Sequence, residues 1–162
     1  HYAVVGIGED RDYLGLHALK HGVAERVHFL GHVEPADLPR WYQAADVFAM
    51  PNRSVNSDTE GFGMVYIEAA ACGTPSIAGC AGGTGSAVLD GRTGLRVDGD
   101  QLDAVIESLQ RMLGDAGLAS HLSKAPSERA RNALSWDQVA EKTSSLASSQ
   151  GSHPAIRVVE KK

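Results

Sequence analysis

Two carboxylates flank a glycine turn in the string Glu60-Gly61-Phe62-Gly63-Met64-Val65-Tyr66-Ile67-Glu68. Ionised carboxylates only accept hydrogen bonds, which suits hydroxyl groups. Gly61 and Gly63 allow a ligand close to the backbone, Ala69, Ala70 and Ala71 favour helix, and Gly73 with Pro75 stops it. The pattern predicts a short helix over 64–72. Its first N–H groups lack intrahelical partners and carry partial positive charge, which suits a phosphate. Glu60 falls just before this helix and Glu68 one turn inside it, so a molecule rich in phosphates and hydroxyls lying across the N-terminus satisfies both. Spacing alone carries little, because 20 acids in 162 residues give about two acid pairs eight apart by chance, and the information lies in the whole string. The plain alternative is a pair of surface acids that favour a helix N-terminus.

Positioning such a turn takes a sheet. The apolar run 2–7 ends in Gly6-Ile7-Gly8 and leads to a helical pattern over 9–21 with Leu14, Leu16 and Leu19 as its expected buried positions. A second strand over 26–30 runs into Gly31-His32-Val33. Pro35 to Pro39 suits the start of a helix reaching residue 45, and 46–50 is a third strand stopped by Pro51. The polar loop 52–59 lies at that strand's carboxyl end, where open α/β sheets place ligands. After the motif helix come a fourth strand at 75–78, the flexible loop 79–85, a short helix at 86–90 and a fifth strand at 94–97. Leu102, Val105, Ile106, Leu109 and Met112 then recur at helical spacing as a buried stripe. Further helices are expected over 116–132, broken near Pro126, and 136–146, capped by Ser135. Strands alternating with helices indicate the α/β class, a Rossmann-like doubly wound parallel sheet.

Composition narrows the function. With 43% hydrophobic residues the chain suffices for one sizeable core, expected over 1–146, with a flexible serine- and glycine-rich tail at 147–162. A net charge of −5 without a basic cluster argues against nucleic acid or an anionic membrane as a partner of the bulk surface. Cys72 and Cys80 form no Cys-x-x-Cys arrangement, so a disulfide framework or zinc site is not expected, and both read as small buried hydrophobes in a reducing compartment. No apolar run has the length of a spanning helix. The opening His1-Tyr2-Ala3-Val4-Val5 reads as mid-strand, a cut from something longer.

The string from Glu60 to Pro75 resembles the nucleotide-sugar-binding segment of retaining GT-B glycosyltransferases, in particular the large family 4, whose members carry Glu-x7-Glu in the setting EGFG(M/L)V..EA.ACG.P. The segments Val5-Gly6-Ile7-Gly8, Arg26-Val27-His28-Phe29-Leu30-Gly31, Ala44-Ala45-Asp46-Val47-Phe48 and Asp90-Gly91-Arg92-Thr93-Gly94-Leu95 look like further landmarks of that family's C-terminal domain, in the same order. The resemblance spans roughly 2–146 and implies the donor-binding half of such an enzyme. It implies that Glu60 and the amides after it hold the transferred sugar, that Glu68 holds the ribose hydroxyls, and that Gly61, Phe62, Gly63, Met64 and Val65, with Gly8, Gly31, His32 and Val33, line the donor site. Glu60 is thereby the expected catalytic residue. It further implies a nucleotide-diphosphate sugar as donor, no metal and no cofactor. An acceptor glycan or lipid-linked sugar would be bound by an N-terminal domain not represented here, in a cytoplasmic enzyme that touches membrane only through that half. The upstream strand and loop bearing the family's phosphate-binding Arg and Lys are likewise not represented. The loop 82–88 keeps the paired glycines but has Gly85-Ser86-Ala87 where Pro-Glu-Val is common, which leaves its rigidity open. A GT-B-like sugar-nucleotide epimerase and a non-catalytic nucleotide-sugar-binding module are the alternatives.

Other patterns are weaker. Gly6-Ile7-Gly8 lacks the third glycine of a dinucleotide fingerprint, where Arg11 stands. Asp98-Gly99-Asp100 matches the Asp-x-Asp of metal-dependent glycosyltransferases of another fold, but a turn with Asp100 as N-cap explains it. The seven histidines are read as containing no pair at the spacing of a zinc helix, with His32 either bordering the base or an ordinary loop residue. No Gly-x-Ser-x-Gly nucleophile elbow occurs.

Overall fold

The computed structural model describes residues 1–56 and 58–149. They form two compact units that divide at Ala45 and Asp46.

In the first unit, β1 (Tyr2–Val5) pairs in parallel with β2 (Val27–Gly31), from Tyr2 opposite Val27 to Val5 opposite Gly31. Helix α1 (Arg11–Lys20) and a 3-10 turn at Ala24–Arg26 make the crossover, and α2 (Leu38–Ala44) follows with Pro39 in its first turn. Leu14, Leu16 and Leu19, expected to be buried, are exposed, and Ala18 is the buried residue of α1. At 100° per residue those three leucines spread around the helix and share no face. His17 and His21, which do stand four apart, put their rings 4.7 Å apart at the end of α1, a pairing that the sequence reading overlooked. Among the described residues no group of three or more metal-ligating side chains forms.

In the second unit, β3 (Phe48–Met50), β4 (Ser76–Gly79) and β5 (Leu95–Val97) form a parallel ladder in the order β3-β4-β5. The crossovers are α3 (Met64–Ala71) and the single-turn α4 (Thr84–Ala87). All four residues of β4 are buried, as a central parallel strand covered on both faces requires. Ala78 joins Tyr66, Ile67, Ala70, Ala87, Val88 and Ala130 in one cluster, while Ile77 joins Leu95, Val97, Met112 and Leu122 in the other. Helices α5 (Leu102–Gly114) and α6 (Ala116–Ala133) supply the last of these. The doubly wound α/β character holds: every ladder pair is parallel, and helices cover both faces of β4. No described strand joins the two ladders.

Several local expectations change. Leu102 is 71% exposed and Ile106 42%, so the α5 stripe contracts to Val105, Leu109 and Met112. Pro126 does not break α6, which runs through it with the ring buried; the lost N–H bond is offset by packing. Asp115 caps α6 by accepting from the Leu118 amide at 2.9 Å. Asp100 is not an N-cap: Gln101 occupies that position, and Asp98 Oδ1 accepts from the Asp100 amide at 3.0 Å, closing an Asx turn. Ser135 Oγ does accept from the Gln138 amide at 3.4 Å. Helix α7 (Trp136–Ser149) continues three residues into the segment expected to be flexible, and residues 150–162 lie outside the described residues, as does Ser57 of the 52–59 loop. No helix among the described residues is long and apolar enough to cross a membrane.

Candidate functional site

The second unit assembles its site at the carboxyl ends of β3 and β4. Asn52, two residues past β3, ties them together: its Nδ2 donates to the Ala81 carbonyl at 3.1 Å and its Oδ1 accepts from the Gly79 amide at 3.1 Å. The Tyr66 hydroxyl, rising from α3, donates to the Met50 carbonyl at 2.6 Å and lies 3.0 Å from Asn52 Oδ1. Burial pushes the Tyr66 phenol up to about 12; the Glu60 carboxylate pushes the same way, while the Gly79 hydrogen bond and Arg96 oppose. Tyr66 is therefore a neutral donor that fixes α3 against β3.

Gly63 is the N-cap of α3, with φ +79 and no side chain capping the helix. A Cβ there would lie 2.5 Å from the Tyr66 ring, so both conformation and space require glycine. Gly61, Phe62 and Met64 are exposed around this open helix start, Val65 is half-buried, Glu60 is half-buried and Glu68 is exposed one turn further on. The N-terminus of α3 thus carries no side-chain cap, with Glu60 just before it and Glu68 one turn inside the helix, and helix N-terminal amides suit a phosphate. At the other end, Gly73 (φ +84) and Thr74 return their amides to Ala70 and Ala69 at 3.0 and 2.9 Å, a Schellman closure. Glu68 also acts on Cys72, whose thiol is pushed up by burial first and by that carboxylate second.

The paired glycines have a specific task. The Gly83 amide donates to the Glu60 carbonyl at 3.0 Å, and a Cβ on Gly82 or Gly83 would overlap the carbonyl oxygen of Glu60 or Gly61. Thr84, fully buried, donates to the Gly79 carbonyl at 2.7 Å, and Arg129 of α6 reaches the Ser86 and Ala87 carbonyls at 2.6 and 2.8 Å. The backbone before α3 is therefore seated on the 79–87 loop. Asn52, Thr84 and Arg129 lie outside the glutamate string, and Tyr66, inside it, was read only as part of a helix; the glycine pair was the one signal for this contact.

In the first unit, Gly8 and Gly31-His32-Val33 lie at the carboxyl ends of β1 and β2, where the Gly6 amide bonds the Gly31 carbonyl at 2.8 Å. His32 Nε2 lies 3.5 Å from Glu34 Oε1. His32 and Val33 border a cleft of about 550 Å³ with Glu34, Asp37, Arg40 and Trp41.

Comparison with known proteins supplies the context. The family model described as glycosyl transferases group 1 matches residues 1–132. A GDP-mannose-dependent alpha-(1-6)-phosphatidylinositol monomannoside mannosyltransferase of Mycolicibacterium smegmatis is 40% identical over 136 residues, which are 83% of this chain and 36% of that protein. A D-inositol 3-phosphate glycosyltransferase of Salinispora tropica is 44% identical over 117 residues, 72% of this chain and 23% of that protein. Among solved structures, sucrose-phosphate synthase of Thermosynechococcus elongatus superposes with a TM-score of 0.80 at 30% identity, covering 91% of this chain and 37% of that one. Anabaena HepE in complex with UDP gives 0.78 at 25% identity, covering 91% and 40%. The chain thus spans about a third or less of the length of these curated relatives.

Proposed function

This chain belongs to the group 1 glycosyl transferases, and on that premise we propose that it forms the donor-binding part of a retaining hexosyltransferase that acts on a nucleotide-diphosphate sugar. One observation carries the reading: the α3 N-terminus is uncapped, and Glu60 is held beside it through its own carbonyl by the Gly83 amide. In this reading the diphosphate lies against the first-turn amides, Glu68 accepts from the ribose hydroxyls, and the Glu60 carboxylate, free of the backbone bond, accepts from the hexose. Gly61, Phe62, Gly63, Met64 and Val65 line the donor.

Charge builds on the departing diphosphate as the sugar bond breaks, and amides fixed before the reaction stabilise it without reorganising. The acceptor hydroxyl attacks from the face the leaving group vacates, which keeps the anomeric configuration. Acceptor positioning falls to a separate domain, so these residues bind and orient the donor but do not alone align an acceptor for attack. GDP-mannose, named for the mannosyltransferase relatives, is the first candidate donor, and a UDP-sugar, given the UDP in HepE, is the second. Calorimetric titration with GDP-mannose, UDP-glucose and an ADP-sugar tests the proposal. Saturable binding of one nucleotide family supports it, and no binding of any contradicts it.

A further inference from the structure

β5 reads Leu95-Arg96-Val97, a charge in the middle of a buried strand. Leu95 and Val97 turn toward Ile77, Met112 and Leu122, and strand alternation sends Arg96 to the opposite face, that of α3 and the 79–87 loop. An apolar side chain there would pack at no polar cost. The guanidinium instead leaves its Nε with no partner, the one buried side-chain nitrogen or oxygen in that condition among the described residues. Burying an unmade donor is unfavourable, so stability alone does not account for an arginine at this position.

Its other contacts do. Arg96 Nη2 donates to the Cys80 carbonyl at 3.2 Å and to Thr84 Oγ1 at 3.4 Å, and the Thr84 hydroxyl in turn donates a hydrogen bond to the Gly79 carbonyl. A Cβ on Gly85 would lie 3.2 Å from Arg96 Nη1. The guanidinium therefore occupies room left by Gly85. Asn52 grips the 79–81 segment through Gly79 and Ala81, Arg96 grips the same loop through Cys80 and Thr84, and the loop seats Glu60 through the Gly83 amide.

We propose that Arg96 is a positioning residue for the donor sugar: anchored from β5, it holds the 80–84 loop so that Gly83 fixes Glu60. This rests on the donor-binding reading above. Arg96 touches no substrate; it acts through Glu60, and its loss is felt where the hexose binds and not where the nucleoside does.

The test is calorimetry on the intact protein with GDP and GDP-mannose, or UDP and UDP-glucose if that pair binds. Arg96→Met keeps the aliphatic stem and removes the donors. It is expected to leave nucleoside diphosphate affinity within about twofold while weakening the sugar ester about tenfold. In a Glu60→Ala background it should add nothing further, because the two act as one unit. Should Arg96→Met fail to fold, Arg96→Lys carries the same test, since a point charge does not reproduce the planar fork. Equal losses for both ligands, no loss for either, or full additivity with Glu60→Ala while Glu60→Ala itself shows the sugar-specific loss overturns the role of Arg96. Failure of the unsubstituted protein to bind any nucleoside diphosphate overturns the donor-binding reading and this proposal with it.

Discussion

The Gly83 amide donates to the carbonyl of Glu60 at 3.0 Å, joining a glycine loop after β4 to the residue that opens the motif before α3. The bond leaves the Glu60 side chain available while fixing its backbone, and it exists only because two residues without Cβ atoms let the loops touch.

Gly83→Ala should therefore push the loops apart. Overpacking of this kind costs about 1–3 kcal/mol, read as a lower melting temperature, and the displaced Glu60 should weaken a sugar nucleotide more than its nucleoside diphosphate. A variant as stable and as tight as the parent would show that the contact is not needed.

Tyr66→Phe deprives the Met50 carbonyl of its donor. Leaving that group unmet should cost about 1–3 kcal/mol in denaturant unfolding. The phenol ionises near 12 when folded against 10.0 otherwise, so its stabilising effect is whole below pH 10 and is lost as the pH rises toward 12. The parent should lose stability across that window, and Tyr66→Phe should lose less. Parallel pH profiles would contradict the assignment.

Glu68 and Cys72 offer a chemical readout. Burial and the Glu68 carboxylate both hold the Cys72 thiol above its ordinary range. In a Cys80→Ser background, Glu68→Gln should raise the thiolate fraction of Cys72 at a given alkaline pH and speed its alkylation. An unchanged rate would mean that the carboxylate points elsewhere.

Asp98 and Asp100 should separate as turn residues. Asp98→Ala removes the acceptor of the Asp100 amide and should cost about 1 kcal/mol. Asp100→Ala loses only an exposed contact with Arg53 at 3.7 Å, a kind worth about 0–1 kcal/mol. Neither change, nor a chelator, should alter nucleoside diphosphate affinity; loss of binding on chelation would favour a metal site.

The sequence was most informative where several local preferences agreed. Glycine turn, alanine run and glycine–proline stop all marked α3, and its closure at Gly73 and Thr74 follows them. It misled where one preference was read without its neighbours: apolar leucines in α1 share no face, and Pro126 sits in a helix whose packing tolerates it. Asp98 and Asp100 are equivalent by type, and only backbone geometry decides which one accepts. Asn52, Tyr66 and Arg96 were illegible for a different reason, since each bonds backbone carbonyls or amides 16 to 29 residues away in the chain, and backbone groups leave no mark in a sequence.

The central claim is that the two glutamates divide one donor between them, and calorimetry of Glu60→Ala and Glu68→Ala with a nucleoside diphosphate and its sugar ester tests it most directly. Glu68→Ala should weaken both ligands by about 1.5–3 kcal/mol, the loss of charge-assisted hydrogen bonds to the ribose. Glu60→Ala should leave the nucleoside diphosphate nearly unchanged and weaken only the sugar ester. Equal losses for both ligands at Glu60, or no loss at either position, would contradict the account.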